Sequence, residues 1–204
     1  MVERKRPETG LAPQPQTPQD APTALDLPQG ALSPEMTAYL AKCDEKLGFV
    51  PNVLRAYAHD DAKLSAFAAF YNGLMLAPSG LSKLEREMIA VVVSAANHCF
   101  YCVAAHGAAV RQLSGDPVLG DTLAVNWRAA RLETRHVVML AFAEKVAYGS
   151  FAIGEADRQA LRDAGFADVD IWDIAAVAAF YAMSNRLASA TGMRPNAEYH
   201  AMAR

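Results

Sequence analysis

Helix start and stop signals recur along this chain of 204 residues and constrain its fold more than any other feature. Ser82 and Glu85 have the spacing of a capping box, and an apolar run follows them as far as Ala96. Residues 33–48 begin with Ser-Pro-Glu and end on a glycine, which forms a second pair of start and stop signals. No segment alternates apolar and polar residues over the length of a strand. The chain is therefore predicted to be all-α.

The same signals predict a multi-helical bundle, with Gly115 and Pro117 expected to break the chain after the helix that contains two of the cysteines. A shift of 85 residues also aligns the apolar positions of 84–107 with those of 169–192, which suggests a degenerate internal duplication. The further helices that we expect are a short one from Pro51, one capped by Asp60 or Asp61, one from about Cys99 to Leu113, and four at about 133–148, 155–164, 168–190 and 196–203.

The N-terminal segment differs in composition from the rest of the chain. Residues 1–34 hold seven of the eleven prolines, which is typical of an extended arm. We therefore divide the chain into a Pro-rich arm, residues 1–33, and a single helical domain, residues 34–204. The arm is expected to lie along its own domain or along a neighbouring subunit.

Composition and charge exclude several classes of function. The basic start of the chain is followed by no apolar segment of the kind found in secretory signals, and no apolar run approaches the length of a membrane helix. No basic patch interleaved with aromatic residues indicates nucleic-acid binding. Three cysteines without a secretory signal favour a reducing, cytoplasmic location. The hydrophobic content of 52% favours a homo-oligomer.

The segment NHCFYCVAAH, residues 97–106, carries the chemistry that the sequence offers. On a helix, Cys102 lies about 60° and His106 about 20° from Cys99 around the axis, so the three side chains share one face. Amide groups at a helix start stabilise a thiolate, and a histidine one turn later can accept its proton. The residues alone leave three interpretations open: a redox dithiol, a zinc site with His98 as the fourth ligand, or inert packing.

Glu87 lies twelve residues before Cys99, at the start of an apolar run. On one unbroken helix its side chain would point about 120° away from the cysteine face, whereas a bend near Asn97 would bring it toward His106. The simpler interpretation of the residues alone is a solvated first turn favoured by the helix dipole. The adjacent Arg86 is expected at the surface or in a salt bridge between subunits.

The segment LEREMIAVVVSAANHCFYCVAAHG, residues 84–107, resembles the signature of the alkylhydroperoxidase D-like branch of the carboxymuconolactone decarboxylase superfamily. In that signature a glutamate is followed after eleven residues by Cys-x-x-Cys and, after three more, by a histidine. Glu87, Cys99, Cys102 and His106 match it position by position. The flanking segments 47–61 and 176–196 resemble the subgroup of peroxidase-related enzymes.

The resemblance implies an all-helical, homo-oligomeric peroxidase that uses no cofactor and no metal. Cys102 would attack the hydroperoxide and Cys99 would resolve the product to a disulfide. His106 would be the base, and Glu87 would tune it in a proton relay. The resemblance further implies that an external thiol reductant re-reduces the disulfide, and that the reduced dithiol can in turn serve a peroxiredoxin partner as its reductant.

The chain departs from the resemblance at one position, where Tyr101 replaces a histidine that well-known members carry between the two cysteines. A tyrosine can donate a hydrogen bond to a thiolate but is a poor base near neutral pH. Two alternative functions compete with the peroxidase. One is lactone decarboxylation, which does not use the dithiol, and the other is a non-enzymatic helical module that senses redox state or binds a metal.

Overall fold

A computed structural model describes residues 21–204 of the protein. Within that range the secondary structure is helical, with no strand, so the all-α prediction is confirmed. Two short 3₁₀ turns follow α6 and α7. The ten α-helices are α1 (Pro34–Leu47), α2 (Asn52–Tyr57), α3 (Asp61–Met75), α4 (Lys83–Ala96), α5 (Phe100–Ser114), α6 (Pro117–Asn126), α7 (Thr134–Gly149), α8 (Glu155–Asp163), α9 (Asp168–Ala190) and α10 (Glu198–Ala201).

Helix α4 is the centre of the fold. Ten of its fourteen residues are buried, because it is apolar on nearly every side after its first turn. It packs against α5, α6, α7 and α9. The predicted capping box is present, with the Ser82 hydroxyl accepting from the Glu85 amide and the Glu85 carboxylate accepting from the Ser82 amide.

The predicted break after α5 is present at Gly115, but a helix that was not predicted, α6, follows it directly. Gly115 has φ of 68° and ends α5, as its left-handed conformation requires. The Asp116 carboxylate then accepts from the Val118 amide, and Pro117 occupies the first turn of α6. Proline is well suited to that position because the amide it lacks would have no partner there.

Arg86 is buried, which contradicts its predicted surface location. It is 4% exposed, and its guanidinium donates to the backbone carbonyls of Leu74 and Ala77 at 3.1 and 2.8 Å. These carbonyls lie at and just after the end of α3, where backbone carbonyls have no amide donor within the helix. Arg86 therefore joins the end of α3 to the start of α4, next to Glu87.

Residues 21–33 of the arm lie along their own domain. The Ala24 amide donates to the Thr191 carbonyl at 2.9 Å, and the Gly30 amide donates to the Ala58 carbonyl at 3.3 Å. A side chain at Gly30 would place its Cβ 2.6 Å from the His59 carbonyl oxygen, so glycine is required for this approach. The prediction for residues 1–20 lies outside the described residues.

The two segments of the proposed duplication have different structures. Residues 84–107 form two helices separated by a turn, whereas 169–192 lie almost entirely in the unbroken helix α9. The alignment of apolar positions is therefore not accompanied by the same arrangement of helices. None of the helices in residues 21–204 is both long and apolar enough to cross a membrane.

Candidate active site

A sharp turn between α4 and α5 positions the candidate residues. Asn97 ends α4, and His98 has φ of 55°, which is left-handed backbone that few residues other than glycine adopt. Cys99 then takes an extended conformation as the N-cap of α5, and Cys102 lies in the first turn. The chain therefore bends where Asn97 was expected to bend it, and α5 returns alongside α4.

This turn brings Glu87 to His106 although nineteen residues separate them. The Glu87 Oε2 and His106 Nδ1 atoms are 2.6 Å apart, and both side chains are largely buried, with 12% and 13% of their surface exposed. The simpler interpretation of Glu87 as part of a solvated first turn is therefore wrong. A carboxylate only accepts hydrogen bonds, so Nδ1 of a neutral His106 donates and Nε2 keeps its lone pair. His106 is thus held in the tautomer that a general base needs at Nε2.

A buried tyrosine packs against this hydrogen-bonded pair. The Tyr181 ring lies edge-on to the His106 ring with centroids 4.6 Å apart, and its hydroxyl is 3.5 Å from Nδ1. Burial, together with the charge of Glu87, raises the pKa of Tyr181 well above its ordinary value. Tyr181 therefore stays protonated, and it fixes the orientation of the imidazole.

Cys99 and Cys102 are both buried and reduced. The pKa of Cys99 is lowered to about 6, mainly because the Cys102 thiol donates a hydrogen bond to its sulfur. Burial acts in the opposite direction, and a hydrogen bond from the Cys102 amide lowers the pKa further. The same hydrogen bond, together with burial and the Cys99 charge, raises the pKa of Cys102 well above its ordinary value. The negative charge of the resting pair therefore lies on Cys99, at the start of α5, where helix amides favour it.

A chain of buried amide and hydroxyl groups supports the dithiol from α4 and α9. The Asn97 Nδ2 atom donates to Asn185 Oδ1 at 3.1 Å, and Asn185 Nδ2 donates to Ser94 Oγ at 2.9 Å. Hydrogen bonds from Asn185 lower the pKa of both thiols, and one from Ser94 acts on Cys102. Sequence reasoning missed Ser94 and Asn185. The signal for Ser94 was a polar residue inside an otherwise apolar run, whereas nothing in the sequence links Asn185 to residues 91 positions earlier.

Tyr101, the residue that departs from the resemblance, supports the structure around the site. Its hydroxyl accepts from the Val53 amide at 2.9 Å and so joins α2 to α5. Burial raises the pKa of Tyr101 well above its ordinary value, which excludes it as a base near neutral pH.

A cavity of about 20 Å³ lies against Cys102. This is room for one water-sized group. Its walls come from α2, α3, α5, α9 and the segment after α9, and they consist of Val53, Tyr57, Phe67, Tyr101, Cys102, Ser184, Leu187, Ala188 and Met193. Cys99 is not among these residues. The sulfur that a small molecule in this cavity would meet is therefore that of Cys102.

The four residues considered as zinc ligands do not form one cluster. His98 is exposed in the turn before α5, and the His106 Nδ1 atom is occupied by Glu87. Nowhere in residues 21–204 do three or more His, Cys, Asp or Glu side chains form a group suited to a metal ion.

The family model for the carboxymuconolactone decarboxylase family matches residues 62–118, a range that includes Glu87, both cysteines and His106. A peroxidase-related protein from Silicibacter sp. TM1040, whose crystal structure is solved, is 60% identical to this chain. The match covers 93% of this chain and 100% of that one, with a TM-score of 0.89. The chain belongs to this family.

Two further solved structures are similar to this chain. A peroxidase-related protein from Ralstonia eutropha JMP134, described as an alkylhydroperoxidase AhpD core, is 46% identical over 87% of this chain and 95% of that one, with a TM-score of 0.84. The debrominase Bmp8 is 17% identical over 83% of this chain and 90% of that one, with a TM-score of 0.70, and shares the fold alone. No curated protein matches the chain. Membership of the carboxymuconolactone decarboxylase family is consistent with an enzyme.

Proposed function

We propose that this family member is a thiol-dependent peroxidase, which reduces hydroperoxides through a disulfide between Cys99 and Cys102. The observation that carries the proposal is the dithiol itself. Two buried cysteines lie side by side at the start of a helix, the pKa of Cys99 is lowered by a hydrogen bond from Cys102, and Cys102 lines a cavity. The names of the related structures from Silicibacter and Ralstonia support a peroxidase-related activity.

The first step is attack on the peroxide by Cys102, whose sulfur faces the cavity. As the sulfur bonds to one peroxide oxygen and the O–O bond breaks, His106 Nε2 accepts the thiol proton and returns it to the leaving alkoxide. Cys102 becomes a sulfenic acid and the peroxide becomes an alcohol. Glu87 holds the Nδ1 proton of His106 and stabilises the imidazolium that forms during transfer.

In the second step, the low pKa of Cys99 makes it the nucleophile. Cys99 is already a thiolate, so it attacks the sulfenic sulfur of Cys102 without first losing a proton. A disulfide forms, and hydroxide leaves and takes up a solvent proton as water. In sum, one hydroperoxide, one thiol, one thiolate and one proton give one alcohol, one water and one disulfide. An external dithiol then returns two electrons: its sulfurs attack the Cys99–Cys102 disulfide in turn, the two protein thiols are restored, and the reductant leaves as a disulfide.

We also propose that the enzyme works as a homo-oligomer in the cytoplasm, where thiols are kept reduced. Large apolar side chains on its surface support the assembly, among them Trp172, Val125 and Phe151, which are 74%, 88% and 93% exposed.

The mass of the intact chain tests the peroxidase proposal. Metal-stripped, reduced protein is treated with one equivalent of an organic hydroperoxide, and we expect rapid loss of two hydrogens per chain. The loss should vanish in Cys102→Ser and remain in Cys43→Ser, because Cys43 lies outside the site. Absence of rapid loss in the wild type would overturn the proposal.

Two further outcomes separate the alternative functions. Repeated consumption of hydroperoxide in the presence of excess dithiothreitol indicates an enzyme, whereas a single oxidation without turnover indicates a sensor. A lactone-converting activity that survives replacement of both Cys99 and Cys102 by serine would move the protein to the chemistry for which the family is named.

A further inference from the structure

Ser184 on α9 has the one buried side-chain oxygen or nitrogen without a protein partner in residues 21–204. Serine and threonine hydroxyls in helices can donate to the carbonyl four residues earlier. Three others in this chain do so: Ser114, Thr122 and Thr191, with distances of 2.7, 2.9 and 2.8 Å. The Ser184 hydroxyl makes no such bond. Ser184 is one of the residues that line the cavity beside Cys102.

The neighbouring residue holds Ser184 in place. Asn185 is 1% exposed and is joined to α4 through Asn97 and Ser94, so this turn of α9 has a fixed position against the dithiol. A hydroxyl without a protein partner, on a rigid element and in a residue that lines a cavity together with Cys102, suits the binding of a small polar group.

The other residues around the cavity indicate which kind of ligand would fit it. Most walls are apolar, from residues such as Val53, Phe67 and Met193. The Tyr101 hydroxyl already accepts from the Val53 amide. Leu187 is 37% exposed, so the cavity lies close to the protein surface. The site therefore offers one sulfur, one free hydroxyl and an apolar surround, which fits a hydroperoxide with its polar O–O–H head inside and its apolar remainder toward solvent.

We propose that the Ser184 hydroxyl binds the peroxide group and holds it against Cys102. This inference rests on the proposed peroxidase function and adds a substrate-binding residue to it. The hydroxyl can accept the peroxide O–H and donate to the oxygen that leaves as alkoxide. The bond forms in the complex and strengthens as charge develops on that oxygen.

The test compares Ser184→Ala with Ser184→Thr, which keeps a hydroxyl, and with Ser184→Val, which has the shape of threonine without it. The rate constant for disulfide formation is measured with hydrogen peroxide and with tert-butyl hydroperoxide, by quenching and intact mass. We expect the alanine and valine variants to be about three- to tenfold slower than wild type, the effect of one neutral hydrogen bond, and threonine to retain most of the rate. Ser114→Ala, which removes a hydroxyl on the far part of α5, serves as the matched control and should react like wild type.

The unfolding temperature and the thiol titration of Ser184→Ala distinguish a loss of substrate binding from damage to the fold or to the dithiol. Ser184→Ala should unfold at the same temperature as wild type or higher, because the lost hydroxyl makes no bond to the protein. Its reduced thiols should titrate as in wild type. An alanine variant as fast as wild type, or equally slow threonine and valine variants, overturns the role of Ser184. If the wild type itself fails to form the disulfide, the peroxidase proposal fails instead.

Discussion

Raising the pH of the reduced protein through the weakly acidic range should ionise Cys99 first, well before an ordinary thiol would lose its proton. With a pKa of about 6 against an ordinary 9.0, Cys99 is about 10% thiolate at pH 5 and about 90% at pH 7, where an ordinary thiol would be about 1%. The negative charge therefore increases with pH across this interval. Neither other cysteine contributes, because burial raises the pKa of Cys43 and the Cys99 hydrogen bond raises that of Cys102.

Ultraviolet absorbance of the thiolate measures this ionisation without requiring a reagent to reach buried sulfur. We expect a step of one thiolate per chain centred near pH 6, and its complete loss in Cys99→Ser. In Cys102→Ala the step should move to higher pH, because the thiol donor that lowers the pKa most is gone while the Cys102 amide remains. Cys102→Ser keeps a hydroxyl donor, so its step should lie between those of the wild type and the alanine variant.

One pattern would refute the reasoning. If the step persists in Cys99→Ser and disappears in Cys102→Ser, the resting charge lies on Cys102, and the hydrogen bond between the thiols runs in the opposite direction. Cys102 would then be ready to attack without a base, and Cys99 would need to lose a proton before resolving the sulfenic acid.

Two more predictions concern the neighbouring residues. Glu87→Gln should slow disulfide formation about 10- to 100-fold at neutral pH, because the glutamine amide no longer fixes the His106 tautomer. Rapid-quench experiments measure this rate, and a value within twofold of wild type would remove Glu87 from the relay. Arg86→Met should lower the free energy of unfolding by about 2–4 kcal/mol, because buried carbonyls of Leu74 and Ala77 lose their donor. Urea denaturation measures this loss, and a change below about 0.5 kcal/mol, the range of ordinary surface substitutions, would contradict it.

The helices and the thiol site were largely predictable because their signals are local. Capping residues, glycine stops and apolar spacing determine where α1, α4 and α9 begin and end. The error at α6 came from treating Gly115 and Pro117 as a single break, whereas the first ends one helix and the second starts another. The bend near Asn97 was a geometric requirement for joining Glu87 to His106, and the turn there meets it.

What the sequence could not show depends on contacts between distant residues. Arg86 looks like any exposed first-turn arginine until α3 is placed against the start of α4. Asn185 and Ser184 lie in the middle of an apolar helix, and only packing shows that one supports the dithiol while the other faces the cavity. The exposure of Trp172, 74% in the single chain, likewise follows from the packing and not from any local signal.

The spacing of the two cysteines also affects how the chain tolerates repeated oxidation. A cross-link stabilises a protein mainly by restricting its unfolded chain, and the restriction grows with the length of the loop that it closes. Joining positions 99 and 102 closes a loop of four residues, worth about 2 kcal/mol in the chain-entropy account, against about 5 kcal/mol for a loop of about 100 residues. The two ends are the N-cap and the first turn of the same helix, so the bond ties no separate parts of the fold together. The dithiol can thus release two electrons as the disulfide forms, and take them up again, with little consequence for whether the protein stays folded.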